Sequence, residues 1–326
     1  MITLSQVRNG ATEHVLKPLH SGATIGISAP AGPVKREKLE QAVARLHTLG
    51  FRTKLSASVF GKHGFLSATD ETRKRELEDL FSDPEVDSVW CARGGVGSSR
   101  LLGCLNLELI AKSDKPFLGF SDITALQWAM WAKHRAITFT GPLAIEFDGT
   151  LTRETEQFSV QMLTDTLSNN WLDSFPTATP NYLRKGAREI IAPVMPGNLT
   201  MISTLLGTKW MPDLRGHILV IEDIAEPAYR MDRLLFHLKN AGVFANLAAL
   251  IVGDFCWQEE DCESRERMTE SLLDATKGTS YPIVTEFPYG HGATRMTLPV
   301  GSPVRVSLAE NKLAMSFAIS PFAPSV

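Results

Sequence analysis

The 326-residue sequence is poor in cysteine: Cys91, Cys104, Cys256 and Cys262 are scattered, with no CxxC pair. That scarcity argues against a disulfide framework or a thiolate zinc site and suits reduced thiols in a cytoplasm. Long apolar runs are also missing, since none approaches the ~20 residues that span a bilayer. The opening segment MITLSQVRNGATEHVLKPLH lacks the continuous apolar stretch of a secretory signal. Nor is there an excess of positive charge. A formal net charge of −3 gives no electrostatic footing for nucleic acid or an anionic membrane. Repeats, low-complexity tracts and heptads are absent too. What remains is ordinary globular material, 44% hydrophobic and 21% charged, enough to build the cores of two domains. The sequence reads as a soluble, cytoplasmic protein.

From residue 24 onward, short apolar runs alternate with amphipathic ones. TIGISAP (24–30) reads as a buried strand, and Leu39, Ala42, Val43, Leu46 and Leu49 then follow at helical spacing before Gly50. FRTKLS restarts a strand. Thr69 is placed to cap a helix through RKRELEDLF, with Asp70 and Glu71 in its first turn. VDSVWCA (86–92), PFLGF (116–120) and AITFTG (136–141) give further strands, the last two separated by a helix carrying Leu126, Met130 and Trp131. Such alternation predicts an α/β fold: a mainly parallel sheet flanked by helices, with ligands at the carboxyl ends of its strands. After residue 168 the chain turns polar and weakly periodic. The reading is an N-terminal α/β domain over 1–170, a linker over 171–190, and a smaller mixed α+β domain over 191–326. The second half offers the strands HILVIED and ALIVGDF and the helix AYRMDRLLFHLKNAG. It ends on a hairpin in PVRVSLAENKLAMSF, with AEN at the turn.

Four segments carry chemistry, each with a plain alternative. RGGVGSS follows a strand, where glycines let backbone N–H groups approach a ligand, or where the chain merely turns. It is neither G-x-G-x-x-G nor a Walker A motif, since Arg100 stands where a third glycine belongs. GFSDI puts Ser121 between a strand and a helix. Such a serine either caps the helix or is a nucleophile on an elbow, although G-F-S-D-I departs from G-x-S-x-G at its last position. HILVIEDIAEP ends a strand on Glu222, either a solvated terminus or the acid that orients a histidine; Glu226 competes on the same loop. In GHGA, His291 lies between two glycines and is the best placed of the eight histidines to act as a base. Without HExxH or a close His/Cys/Asp cluster, no metal and no cofactor is expected. The order Ser121, Glu222, His291 is that of a Ser–acid–His triad divided between two halves facing across a cleft.

Together, ARGGVGSSRLL (92–102), FLGFSDITAL (117–126), GPLA (141–144), PGNLTMI (196–202), VIEDIAEPAYRMDRLL (220–235) and GHGA (290–293) resemble the LD-carboxypeptidase family in order and spacing. These serine peptidases include cytoplasmic murein tetrapeptide carboxypeptidases and microcin C immunity peptidases. The resemblance runs from Ile25 to Val306, and SAPAGPV matches the family's usual opening. It implies Ser121 as nucleophile, Glu222 as acid and His291 as base, with an oxyanion hole made by the N–H groups of Gly95 and Asp122. It further implies a homodimer needing no metal, a small peptide or peptidyl-nucleotide substrate, and Asn198 and Arg230 as substrate contacts. The implied reaction releases a C-terminal D-residue, D-Ala, from a murein tetrapeptide during cell-wall recycling. Alternatives are hydrolysis of a peptidyl-nucleotide and a catalytically silent binding protein of the same fold. The short interval between Ser121 and Glu222 looks like the murein branch. Two positions depart from the family pattern: Val96 replaces the usual aromatic of RGGYG, and Pro196 the first glycine of GGNL.

Overall fold

The computed structural model of the chain describes residues 15–176, 179–255, 262–309 and 312–324. His14, Cys256 and the tip of the predicted AEN turn lie outside them. The first half alternates strand and helix. β1 (Thr24–Ser28) is buried at every position, as befits an inner strand covered on both faces. α1 (Arg36–Thr48) buries Leu39, Ala42 and Leu46, and Gly50 then takes a left-handed φ of 90° to turn the chain into β2 (Arg52–Leu55). α2 (Asp70–Ser82) is capped by Thr69, whose hydroxyl accepts from the Thr72 N–H. β3 (Ser88–Cys91), α3 (Leu107–Lys112), β4 (Phe117–Gly119), α4 (Thr124–His134), β5 (Thr138–Thr140) and α5 (Arg153–Leu163) follow. β2, β1, β3, β4 and β5 lie side by side and parallel, so their carboxyl ends share one edge.

The second half builds a seven-stranded sheet. Its elements are β6 (Asn181–Arg184), β7 (Glu189–Asn198), α6 (Leu199–Leu205), β8 (Ile218–Glu222), α7 (Ala228–Asn240), β9 (Ala249–Val252), α8 (Cys262–Ala275) and β10 (Ile283–Thr285). The hairpin β12 (Pro303–Ala309) and β13 (Lys312–Phe317) completes it. β7, β8, β9 and β10 are parallel; β12 and β6 close the two sides antiparallel. Between them β11 (Leu298–Val300) returns to the first sheet and pairs antiparallel with β5. It holds Pro299, which an edge strand tolerates because one side of its backbone needs no donor. No helix among the described residues is long and apolar enough to cross a membrane.

The two sheets are tied together close to the carboxyl edge of the first. Trp128 on α4 donates its indole N–H to the Pro196 carbonyl at 2.9 Å, and Thr140 meets the Tyr289 hydroxyl at 2.9 Å. Gly197 is needed there: a Cβ would lie 2.6 Å from Thr124 Cγ2. These buried polar contacts fix the second half at one distance from α4.

Candidate active site

Five parallel strands end at the carboxyl edge of the first sheet, and the loops after β3 and β4 carry predicted site residues. After β4 the chain reaches Ser121 with φ of 61°, a left-handed conformation that costs a non-glycine residue about 1–3 kcal/mol. Ser121 makes no capping hydrogen bond, so the alternative of a plain helix cap is not what the backbone serves. The turn is tight because Gly119 permits it; a Cβ there would lie 2.3 Å from Ile123 Cγ2. After β3, Gly94 presses against the same serine. A Cβ on Gly94 would meet Ser121 Cβ at 3.0 Å and its Oγ at 3.3 Å.

The second half carries Glu222 and His291. Glu222 ends β8 and is fully buried, with His291 Nδ1 only 2.6 Å from its Oε2. Nδ1 is thus engaged, and Nε2 is the ring nitrogen left for proton exchange. The imidazole sits beside the Phe120 ring at 4.7 Å between centroids. Burial pushes the Glu222 carboxyl above its ordinary value, while the His291 hydrogen bond pulls the other way. Glu226, the competing acid, is instead held by Arg230 at 2.8 Å.

Ser121 and His291 line one cavity of about 560 Å³ with Gly94, Gly95, Phe120 and Glu146. Gly95 takes φ of 105°, open only to glycine at low cost. Among the described residues, neither the Gly95 nor the Asp122 N–H is taken by an acceptor. Two spare backbone donors flanking a serine are what an oxyanion requires. The Asp122 carboxylate points the other way and accepts from the Ser98 N–H at 2.8 Å, joining the serine turn to the glycine-rich loop. Its burial raises its pKa, opposed by the Ser98 hydrogen bonds.

Asn198 and Arg230 are not on this cavity wall. Asn198 is buried, and its amide donates to Glu222 Oε1 at 3.2 Å and Asp223 Oδ1 at 2.9 Å. Its own oxygen caps α6 by accepting from Met201 N–H at 3.1 Å, so every group of the side chain is used. Its backbone N–H reaches Thr124 Oγ1 at 3.2 Å, tying the residue that holds Glu222 to the helix after Ser121. Arg230 is exposed on α7, paired with Glu226.

Two buried arginines escaped the sequence reading. Arg73 donates to the carbonyls of Pro30 and of Gly97, the latter at 3.0 Å, and pairs with Asp70 at 2.5 Å. It therefore pins the glycine-rich loop to the loop after β1. Arg295 donates to Gly292 O at 3.0 Å, pairs with Glu146 at 2.5 Å and stacks 4.9 Å from the Phe120 centroid. That braces the His291 loop against Glu146 and Phe120. A lone arginine in a helical or loop pattern reads as a solvated charge, so no local signal distinguishes either one. Among the described residues no group of three His, Cys, Asp or Glu side chains is placed to hold a metal.

A strained serine beside spare amide donors, faced by a carboxylate-bound histidine on a two-domain α/β frame, has the form of a serine hydrolase. The chain belongs to the LD-carboxypeptidase family of serine peptidases: residues 25–141 match its N-terminal domain and residues 192–306 its C-terminal domain. It is 31% identical over 310 residues to the "Probable murein peptide carboxypeptidase" of Bacillus subtilis, covering 93% of this chain and 95% of that protein. A muramoyltetrapeptide carboxypeptidase from Oxalobacter formigenes superposes with a TM-score of 0.78 at 30% identity, over 92% of this chain and 100% of that one. The microcin C7 self-immunity protein MccF, solved with aspartyl sulfamoyl adenosine, superposes with a TM-score of 0.80 at 25% identity, over 95% of this chain and 99% of that one. The protein is a serine carboxypeptidase with the two-domain α/β fold of these relatives.

Proposed function

We propose that the enzyme removes the C-terminal D-residue from a murein tetrapeptide, with Ser121 as nucleophile, His291 as general base and Glu222 as the acid that orients it. The observation that carries this reading is the shared cavity of Ser121 and the Glu222-bound imidazole. His291 Nε2 takes the Ser121 hydroxyl proton as Oγ bonds to the scissile carbonyl carbon. Negative charge moves to the carbonyl oxygen, which accepts from the Gly95 and Asp122 N–H groups. Each such donor is typically worth about 3–4 kcal/mol in the transition state. The C–N bond then breaks, His291 returns the proton to nitrogen, and D-Ala leaves. Water attacks the acyl ester by the same route, giving its proton to His291 and restoring Ser121. The reading places the enzyme in cell-wall recycling, where D-Ala and a tripeptide are the products.

A second reading is hydrolysis of a peptidyl-nucleotide. It is supported by the likeness to MccF, which binds aspartyl sulfamoyl adenosine. Incubation with murein tri-, tetra- and pentapeptides and a peptidyl-adenylate separates the two by product mass. D-Ala released from tetrapeptide alone supports the first reading. Cleavage of the adenylate alone transfers the site to the second, and no product from any substrate contradicts both.

A further inference from the structure

The cavity beside Ser121 carries a charge imbalance. Its wall includes the cations Lys35, Lys38 and Arg93 and the carboxylates Glu146 and Asp148. Both carboxylates are spent. Glu146 pairs with Arg295 through Oε1 and accepts from the Leu143 N–H through Oε2 at 2.7 Å. Asp148 pairs with Lys38 at 2.8 Å. Among the described residues, Lys35 and Arg93 have no carboxylate partner. Both line the same cavity, and Arg93 donates one guanidinium N–H to the Pro33 carbonyl at 2.8 Å, two residues before Lys35. Arg93 immediately precedes Gly94 and Gly95, so its charge lies on the loop that carries the Gly95 N–H, while Lys35 stands at the N-terminus of α1 on the same cavity wall.

We infer that Lys35 and Arg93 form an anion subsite for the leaving group, occupied by the α-carboxylate of the substrate's C-terminal residue. The inference rests on the peptidase reading above and adds how that enzyme would select a chain end. In a peptide the α-carboxylate lies two bonds beyond the scissile nitrogen. A cation anchored one or two residues from an oxyanion donor is within reach of it. The guanidinium presents a planar fork that matches a carboxylate in two-point contact, and the ammonium adds an adjustable point charge. Internal peptide bonds carry no charge at that position, so the subsite discriminates an exopeptidase substrate from an internal one. A phosphate of a nucleotide leaving group has the same sign and competes for the same chemistry.

The test uses Ser121→Ala, which binds without turnover. Calorimetry compares the murein tetrapeptide with a free C-terminus, its C-terminal carboxamide, and AMP. The free acid is expected to bind about 10- to 100-fold more tightly than the amide, the scale of a charge-assisted hydrogen bond. Adding Lys35→Met or Arg93→Met lowers that ratio, and the pair together brings it near one while amide binding holds. Lys35 is exposed, so its single variant stays informative even if Arg93→Met disturbs the loop. Equal binding of acid and amide, or a ratio unchanged in the variants, overturns the inference. AMP binding that depends on both residues, without an acid–amide difference, gives the subsite to phosphate and overturns the carboxylate assignment. Failure of the peptidase reading is seen separately, as absence of D-Ala release by the wild type.

Discussion

His291 Nδ1 lies 2.6 Å from an oxygen of Glu222, and that carboxyl group has no exposed surface. Glu222 ends β8 of the second sheet and His291 lies between β10 and β11, and the imidazole shares a cavity wall with Ser121, which follows β4 of the first. Glu222→Gln keeps the size of the side chain but removes the charge that fixes the imidazole. Its kcat is expected to fall by roughly 10²- to 10⁴-fold, read by steady-state kinetics on tetrapeptide.

The pH dependence follows from burial. Desolvation raises the Glu222 pKa above its ordinary value of 4.5, so acidification neutralises it sooner than a surface glutamate. The acid limb of kcat/KM should therefore begin above that value. Stability runs the opposite way. A raised carboxyl pKa favours the protonated fold, a contribution present below the unfolded pKa and lost as pH rises through the folded one. Thermal melts of wild type against Glu222→Gln should thus shift in the variant's favour as pH increases across that window.

Asn198 offers a separable test of positioning. Asn198→Ala removes the donor to Glu222 and Asp223 and the cap of α6, at an expected cost of about 1–3 kcal/mol. Asn198→Asp keeps the cap but puts a carboxylate against Glu222. The acid limb of its rate profile should move to higher pH than wild type, with KM little changed. A rise in KM with an unmoved limb would instead make Asn198 a substrate contact.

Gly94 sets the space behind Ser121. Gly94→Ala drives a methyl to 3.0 Å from Ser121 Cβ, closer than nine in ten such contacts, so the serine must give by a few tenths of an ångström. A displacement of that kind is expected to cost about 10²-fold in kcat while the melting transition moves little.

Arg73 holds the glycine-rich loop to the loop after β1. Arg73→Met leaves the Pro30 and Gly97 carbonyls without their buried donor, an expected loss of about 3 kcal/mol or more by chemical denaturation. Its partner Asp70 has its pKa lowered to about 2, first by the Arg100 hydrogen bond and then by Arg73. That pairing stabilises the fold above the unfolded value of 3.8 and is lost as pH falls toward 2. Asp70→Asn should flatten the acid side of the stability profile, modestly because the side chain is a third exposed.

The α/β frame was legible because its signals are local. Buried strands such as TIGIS and amphipathic helices such as the one carrying Leu39, Ala42 and Leu46 announce themselves by period and by the turn residues between them. β11 was not legible: three residues including Pro299 make no strand pattern, and only β5 across the sheet defines them. β6 likewise lies within 171–190, read from its polarity as linker, because an edge strand half open to solvent needs no apolar run. Ser121, Glu222 and His291 stood out as residue types at strand ends and between glycines. Asn198 was noticed, but its place behind Glu222 depends on β7 and β8 running in register with Asn198 opposite Glu222. Arg73 and Arg295 act through tertiary contacts alone, so no spacing in the chain could reveal them.

The most direct test of the central claim is turnover by Ser121→Ala. The purified variant, shown folded by circular dichroism, is incubated with murein tetrapeptide and D-Ala release is followed by mass spectrometry. The account predicts a rate lower by roughly 10⁴-fold or more with peptide binding retained. Release of D-Ala at the wild-type rate by the folded variant would contradict it.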